Sequence, residues 1–225
     1  AMTEGAPVLS VRDLHFPALP PMTFDIRRGE IAFLRDENYN TGRRLHECFL
    51  GDRGWTSGFF RLNGRLYQPG DLGRVIGSEI GIQIERPDRP GGVLFDNMTA
   101  LDNLCTSLIP KAGQHIIRKK IVSSILSEAL RWFPKEMLLQ PLSSWSYPER
   151  LRFSYYRWYL LNPRLLICFF PFAGQESTHH KMIIDLLVLC AQRGMAVWII
   201  SSGIDAICEK TDNEEFLRRL HYLNK

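Results

Sequence analysis

The alternation of hydrophobic and polar residues predicts strands in the first third of the chain. Residues 8–16, "VLSVRDLHF", alternate between apolar and polar positions, as a half-buried strand does. Residues 22–35, "MTFDIRRGEIAFLR", predict two short strands joined as a hairpin at Arg28-Gly29. Residues 57–68, "SGFFRLNGRLYQ", predict a second pair around the strong turn signal Asn63-Gly64. An N-terminal antiparallel β subdomain is therefore expected.

The pattern changes after residue 35. Residues 36–51, "DENYNTGRRLHECFLG", consist of a polar loop followed by apolar residues at helical spacing. The stretch "IGIQI" at 80–84 predicts a short buried strand, and a loop rich in Pro and Gly follows it. From 99 to about 139 the periodicity is helical with no strand in it, which predicts an inserted α-helical subdomain.

In the second half of the chain, predicted strands alternate with helices. A helix is expected over 147–161, closed by Asn162-Pro163, and the strand "RLLICFF" follows it. Next come the helix "HHKMIIDLLVLCAQRG", the strand "AVWIISS" and the helix "GIDAICEK". Alternation of this kind implies parallel strands with right-handed crossovers, hence an α/β fold with a parallel core sheet. The tail, 213–225, is ambiguous between helix and strand.

Composition and charge exclude several classes of protein without indicating one function. At 225 residues and 45% hydrophobic, the chain is long enough for one large domain. Its net charge of +4 is spread along the chain, which argues against a nucleic-acid arm but leaves a local anion site open. The five cysteines are odd in number and widely spaced, so reduced thiols are expected, without a disulfide framework or metal centre. With no long apolar run or secretion signal, a cytoplasmic protein is the expectation.

Several phrases resemble the nucleotide-binding cassette of ABC transporters, in the sugar-importer (ribose/galactose-type) branch. They are "VLSVRDLHF", "DIRRGEIAFL", "SGFFRLNG", "GIQIERPDRPGGVLFDNMTALDNL", "LLNPRLLI" and "WIISSGIDAICEKTD". The resemblance implies one P-loop NTPase-like cassette domain, with an α/β core and β subdomain over 8–98 and 145–212 and the helical subdomain over 99–144. It also implies a partner: another cassette, in a homo- or heterodimer, or a transporter permease, through which alone the chain would reach a membrane. No nucleic-acid partner is expected.

The family's phosphate loop, G-x-x-G-x-G-K-[ST]-[ST], aligns with "DENYNTGRR" at 36–44. Asp36, Tyr39 and Thr41 replace the three glycines, and Gly42 replaces the lysine that binds the outer phosphates. A shift of one residue places Gly42-Arg43 on a Gly-Arg pair found in some second cassettes of sugar importers. The candidate nucleotide-binding residues of this degenerate loop are Asn40, Thr41, Gly42, Arg43 and Arg44.

The family's second motif ends a strand in two carboxylates, and it aligns with "LLICFFPFAGQE" at 165–176. Phe169 then stands for the magnesium-organising aspartate and Phe170 for the general-base glutamate. A phenyl ring can neither hold hydrated magnesium nor polarise water. Ser202 aligns with the switch histidine, and Glu176 with the dimer-contact aspartate. The resemblance thus implies no catalytic residue, no metal and no cofactor.

The signature L-S-G-G-Q aligns with "WSYPE" at 145–149, where Ser146 survives as a further candidate nucleotide-binding residue but Tyr147 and Pro148 replace the glycines. The N–H groups that would face a γ-phosphate across a dimer are then obstructed or absent. A second register, with the leucine-serine pair at Leu142-Ser143, restores no glycine either. The Q-loop glutamine falls near Glu85.

Each of these residues also has a purely structural interpretation. Phe169 and Phe170 are expected to fill space vacated by nucleotide and metal, with a hydrophobic ligand pocket as the alternative. Arg35, Arg43 and Arg44 form a solvated basic loop or, alternatively, a residual anion site. His179 and His180 point to different sides of a helix, so no metal is expected there. The aromatic helix at 147–159 is assigned to core or partner contacts before nucleic-acid stacking.

Three functions follow from these observations. The first is a catalytically inactive ABC-type cassette that acts by association with another cassette or a permease. The second is a regulatory or sensor module that binds a different anionic or apolar ligand, with or without a further fused domain. The third is an active sugar-importer ATPase with substitute residues, and it alone would require ATP and magnesium. For the first, we expect side chains to fill the cleft between the Asp36 loop and Phe169.

Overall fold

An antiparallel sheet forms one layer of the structure, a computed structural model that describes residues 5–52, 54–84, 94–108 and 115–223. Its strands are β1 (Leu9–His15), β2 (Met22–Ile26), β4 (Ser57–Leu62) and β5 (Arg65–Tyr67), in the order β2-β1-β4-β5. Strands β4 and β5 pair across the predicted Asn63-Gly64 turn, where both residues have positive φ. The expected N-terminal antiparallel sheet is confirmed.

A parallel sheet forms the second layer and carries the candidate site at its carboxyl edge. Its strands are β3 (Ile31–Arg35), β6 (Ile80–Ile84), β7 (Leu165–Phe169), β8 (Ala196–Ser201) and β9 (Leu220–Tyr222). They lie in the order β6-β7-β8-β3-β9, and every neighbouring pair is parallel. The expected parallel core sheet is therefore confirmed.

The predicted hairpin at Arg28-Gly29 is wrong. The two strands it was to join lie in different sheets, β2 against β1 and β3 against β8. The residues of β3 give the physical reason, because Ile31 to Leu34 form a continuous apolar run that is buried on both faces. Such a run suits a central strand of a parallel sheet, whereas β2 alternates between buried and less buried positions.

Eight helices are described. They are α1 (Asn40–Leu50), α2 (Ala100–Leu108), α3 (His115–Ala129), α4 (Lys135–Leu138), α5 (Tyr147–Leu161), α6 (Ser177–Gln192), α7 (Ile204–Cys208) and α8 (Glu214–Arg219). Helices α2 to α4 lie within the predicted helical segment, and no strand is described between them. The ambiguous tail contains both predicted element types, since α8 is followed directly by β9.

Hydrophobic packing on both faces of the parallel sheet fixes its position. On the face toward the antiparallel sheet, the fully buried Trp198 of β8 packs edge-on against Phe24 of β2, with ring centroids 5.1 Å apart. On the other face, α5 and α6 cover the sheet, and the helical segment has an aromatic cluster of its own around Phe133. Complete burial of side chains of this size contributes about 1.5–3 kcal/mol each. The parallel sheet is therefore covered on both faces by packed side chains.

A buried polar contact attaches α5 to the edge strand β6. The Gln83 amide donates to Ser154 Oγ at 3.0 Å and accepts from Trp158 Nε1 at 2.7 Å. Gln83 is fully buried, so these bonds satisfy groups that would otherwise be costly to bury. This glutamine has a structural role here that no sequence pattern indicated.

The remaining general expectations concern cysteines, metals and membranes. All five cysteines are free thiols, and burial raises the pKa of Cys48 to about 11 and that of Cys190 to about 12. These two thiols stay protonated and unreactive at neutral pH. Among the described residues, no cluster of metal-ligating side chains occurs and no helix is long and apolar enough to cross a bilayer.

Candidate functional site

The Asp36 loop, residues 36–39, connects β3 to α1 and is closed by its own carboxylate. Asp36 Oδ2 accepts the Gly42 N–H at 2.7 Å, and Asp36 Oδ1 accepts the Thr41 N–H at 3.2 Å. Asp36 is only 5% exposed, and Tyr39 before the helix adopts a left-handed conformation with φ of 57°. The first N–H groups of a helix have no partner within the helix and are the usual donors to an anion. Two of these donors are already bound to a side chain of the same chain.

Phe170 lies across the same helix N-terminus. It follows β7 with φ of 53°, and its N–H donates to the Ile200 carbonyl oxygen of β8 at 2.8 Å. Its ring lies 4.6 Å from the Tyr39 ring, centroid to centroid. A methyl group added to Gly42 would lie 2.6 Å from Phe170 Cζ, closer than real contacts allow. Phe170 and Gly42 are therefore complementary: the ring lies where a side chain at residue 42 would begin.

Phe169 points away from the loop into the core. It is 2% exposed and packs edge-on against the His46 ring of α1, with centroids 5.6 Å apart. Its interpretation as a core aromatic is confirmed. Phe170 is only partly buried and covers the Asp36 loop. The expected filling of the cleft is therefore present, but only one of the two rings makes it, together with the Asp36 carboxylate.

The basic residues of this region are largely neutralised by carboxylates. Arg35 forms ion pairs with Asp205 and Glu37, and Arg44 pairs with Glu47 at 3.3 Å. All are at least partly exposed side chains, and Arg43 is exposed as well. Ion pairs of this kind contribute little to stability, but they leave less positive charge for an external anion. The geometry therefore favours the solvated loop over the residual anion site.

A capping box closes a second helix N-terminus, that of α5. Ser146 immediately precedes α5, and Glu149 Oε2 accepts both its N–H at 2.8 Å and its hydroxyl at 2.6 Å. Pro148 in the first turn has no N–H to offer. The two hydrogen bonds from Ser146 hold the pKa of Glu149 below its usual value. In the alternative alignment of the signature motif, the leucine-serine pair is Leu142-Ser143. The structure buries Leu142 in the core and places Ser143 in a short 3₁₀ turn.

Replacing Glu149 by Gln is expected to lower the free energy of unfolding by about 0.3–1 kcal/mol, because the amide can keep the capping-box hydrogen bond but the negative charge at the helix N-terminus is lost. Because its pKa is lowered in the folded state, Glu149 contributes stability above its unfolded pKa, and that contribution disappears as the pH falls through the folded value. Urea unfolding of wild type and variant should therefore differ at pH 7 and converge in acid. A stability difference that persists at low pH would contradict this assignment. Glu136→Gln, an exposed glutamate in the first turn of α4, serves as the control.

The other predicted site residues lie near the carboxyl edge of the parallel sheet, but they are not part of the Asp36 loop or of the Ser146 turn. Ser202 is partly exposed between β8 and α7. Glu176 immediately precedes α6, where its carbonyl oxygen accepts the N–H groups of His179 and His180. The His180 ring contacts Phe172, whereas the His179 ring contacts Tyr147, so the two histidines diverge as expected. Glu85 lies outside the described residues.

An apolar cavity of about 280 Å³ lies beside α1, between β6 and α5. Its walls include His46 and Leu50 of α1, Ile82 and Ile84 of β6, and Arg157 and Trp158 of α5. Arg157 is buried with its guanidinium 4.6 Å from the centre of the Trp158 ring, and burial lowers its pKa to about 10. The wall is thus mainly hydrophobic with one buried cation, a combination suited to a small ligand. Sequence patterns did not indicate this cavity.

Comparison with known proteins supports the resemblance. The chain is 26% identical over 212 residues to a ribose/galactose/methyl galactoside import ATP-binding protein of Pseudomonas syringae pv. tomato. The aligned region covers 92% of this chain and 40% of that protein. It is 23% identical over 202 residues to a galactofuranose transporter ATP-binding protein of Escherichia coli, with 89% of the chain and 39% of the relative covered. The chain thus spans about two fifths of the length of these relatives. No family model matches the sequence.

Solved structures show the same fold. CbiO1 of Clostridium perfringens, part of an ABC transporter complex, superposes with a TM-score of 0.73 at 20% identity over 96% of this chain and 84% of its own. An ADP-bound ATP-binding cassette of an ABC transporter superposes with a TM-score of 0.70 at 14% identity, over 97% and 87% of the two chains. The expected fold class is confirmed.

Proposed function

Starting from the fold of an ABC ATP-binding cassette and relatives among sugar-import ATP-binding proteins, we propose that this chain is a catalytically inactive cassette. It acts by association with another cassette or with a permease, in the cytoplasm and at the membrane only through that partner. The observation that carries the proposal is the contact of Phe170 with Gly42. Phe170 aligns with the family's general-base glutamate, and Gly42 aligns with its phosphate-binding lysine. The Phe170 ring lies in the space that a side chain at residue 42 would need.

The chemistry of the site supports this proposal. Hydrolysis of a nucleoside triphosphate needs charge stabilisation on the transferred phosphoryl group, a metal ion and a base or positioning residue for water. Residues 36–44 offer no lysine, and the end of β7 offers two phenyl rings in place of carboxylates. Ser202, at the position of the switch histidine, cannot act as a base at neutral pH. None of the residues at these aligned positions has the chemistry of its counterpart in the family motifs.

Association is supported by what the chain retains. The parallel sheet, its helices and the exposed carboxyl edge have the arrangement of a cassette, and the relatives are ATP-binding proteins of import systems. The closed Ser146 turn adds a restriction on such pairing. In a head-to-tail pair this turn would face the partner's nucleotide, yet it already holds the Glu149 carboxylate. The chain would then contribute to neither of the two composite sites.

The test is a measurement of magnesium-dependent ATP binding and phosphate release by the purified chain, with an active cassette as positive control. We expect no turnover above background and no magnesium-dependent affinity. The same assay is then repeated with a sugar-import permease and its natural cassette, where the chain should neither add to turnover nor restore it when the natural cassette is absent. Magnesium-dependent turnover by the chain alone would establish the third function, an active importer ATPase with substitute residues.

The second candidate function, a sensor for a different ligand, is favoured by the cavity beside α1. Its hydrophobic wall and buried Arg157 suit a small apolar anion, and the filled nucleotide cleft does not obstruct it. Mass spectrometry of the purified protein under native conditions would detect a retained ligand. A ligand that is lost in Ile82→Trp, which fills the cavity, but kept in the surface variant Leu66→Trp would favour the sensor over the inactive cassette.

A further inference from the structure

The closed state of the Asp36 loop depends on where Asp36 is held. Its N–H donates to the Ser201 carbonyl oxygen at 2.9 Å, which ties the residue to the end of β8. From this fixed position its carboxylate faces α1 and accepts two N–H groups of the first turn. A negative charge at this end of a helix is favoured by the helix dipole. The carboxylate therefore makes the contacts that an external anion would make at an open helix N-terminus.

The surrounding side chains exclude a competing anion. Asp36 Oδ2 lies 3.2 Å from the position of a methyl group at Gly42, and Phe170 Cζ lies 2.6 Å from the same position. Carboxylate and ring thus border the same small volume above the helix. Tyr39 packs on the outer side of the ring. An inorganic anion could reach the two N–H groups only by displacing the Asp36 carboxylate that now accepts them.

We propose that Asp36 is an internal ligand of α1, which keeps this loop in one closed conformation without nucleotide and makes the conformation insensitive to phosphate compounds. The inference rests on the proposed function in one respect, namely that the Asp36 loop occupies the position of a phosphate loop. It adds that the chain presents a constant surface to its partner, whatever the nucleotide concentration. A phosphate compound shifts a conformational equilibrium only if it binds one conformation better than another. With the helix N-terminus already bound to Asp36, it has no such preference here.

The experiment compares thermal unfolding of the full chain with and without sodium pyrophosphate in the absence of magnesium. We expect no shift in Tm for wild type. Asp36→Ala should unfold about 1–8 °C earlier, the effect of losing a helix cap in a chain of this size. Pyrophosphate should recover at least half of that loss, because the two N–H groups become available. Asp52→Ala is the matched control, since Asp52 is an exposed carboxylate just beyond the other end of α1.

A second measurement uses wild type alone and stays informative even if Asp36→Ala does not fold. Amide hydrogen exchange should show the N–H groups of Thr41 and Gly42 protected in nucleotide-free protein and unchanged by pyrophosphate. Rapid exchange that slows on adding pyrophosphate, or an equal pyrophosphate shift of Tm in wild type and Asp36→Ala, would overturn the inference. ATP turnover by wild type would instead contradict the proposed function, so the two failures are distinguishable.

Discussion

Replacing Phe169 by Ala is expected to lower the free energy of unfolding by about 3–5 kcal/mol, the range for truncating a buried phenylalanine. The ring is 2% exposed at the end of β7 and contacts His46 of α1, so its loss leaves a cavity between the sheet and that helix. Denaturant unfolding followed by tryptophan fluorescence measures the effect. Phe95→Ala, at a phenylalanine that is 50% exposed, should change stability by no more than about 0.5 kcal/mol.

The companion variant Phe169→Asp introduces the aspartate that the family motif has at this position. It distinguishes a cleft that is permanently filled from one that can still open to bind magnesium and ATP. In the closed structure the new carboxylate would be buried within a hydrophobic cluster, at a position that is 2% exposed, so it should destabilise at least as much as Ala. Magnesium and ATP should give no compensating stabilisation. If they restored the stability of Phe169→Asp to that of wild type, the cleft would have to open to nucleotide, contrary to the proposed function.

The elements of the parallel sheet could be predicted because their signals are local. The strand at 165–169 is an uninterrupted apolar run. The helix at 147–161 begins after the capping residue Ser146 and ends at Asn162, which has a left-handed conformation. The hairpin at Arg28-Gly29 failed because a turn signal does not specify which sheet the next strand joins. Burial on both faces of β3 decides that question, and it depends on helices far away in sequence.

The candidate site was only half predictable for a similar reason. Alignment placed Phe169 and Phe170 at the end of a strand, where successive side chains point to opposite faces. It did not show that the chain leaves the strand at Phe170 with a positive φ, which lays this ring on the Asp36 loop. The role of Asp36 as a hydrogen-bond acceptor was equally hidden, since the motif described it only as a missing glycine. The position of the Phe170 ring and the hydrogen bonds of Asp36 both depend on how the ends of β3 and β7 lie in the folded sheet. A local sequence pattern does not predict that arrangement.

Gly42→Lys, which restores the family's lysine, is expected to lower the free energy of unfolding by about 1–3 kcal/mol, the usual cost of overfilling a packed site. The new Cβ would lie 2.6 Å from Phe170 Cζ, and the ring is held by β7 on one side and Tyr39 on the other. Intrinsic propensity predicts the opposite sign, since Lys is favoured over Gly in a helix by roughly 0.5–1 kcal/mol. A measured loss would therefore report the steric contact.

A double-mutant cycle with Phe170→Ala isolates that contact. Once the ring is removed, Gly42→Lys should become neutral or stabilising, giving a coupling energy of about 1–3 kcal/mol between residues 42 and 170. Gly73→Lys, in a turn where no atom lies within 4 Å of an added methyl group, should show no coupling to Phe170→Ala. Additive effects at residues 42 and 170 would mean that the ring does not occupy the lysine position. Strong coupling would mean that a lysine at residue 42 is tolerated only when the Phe170 ring is absent.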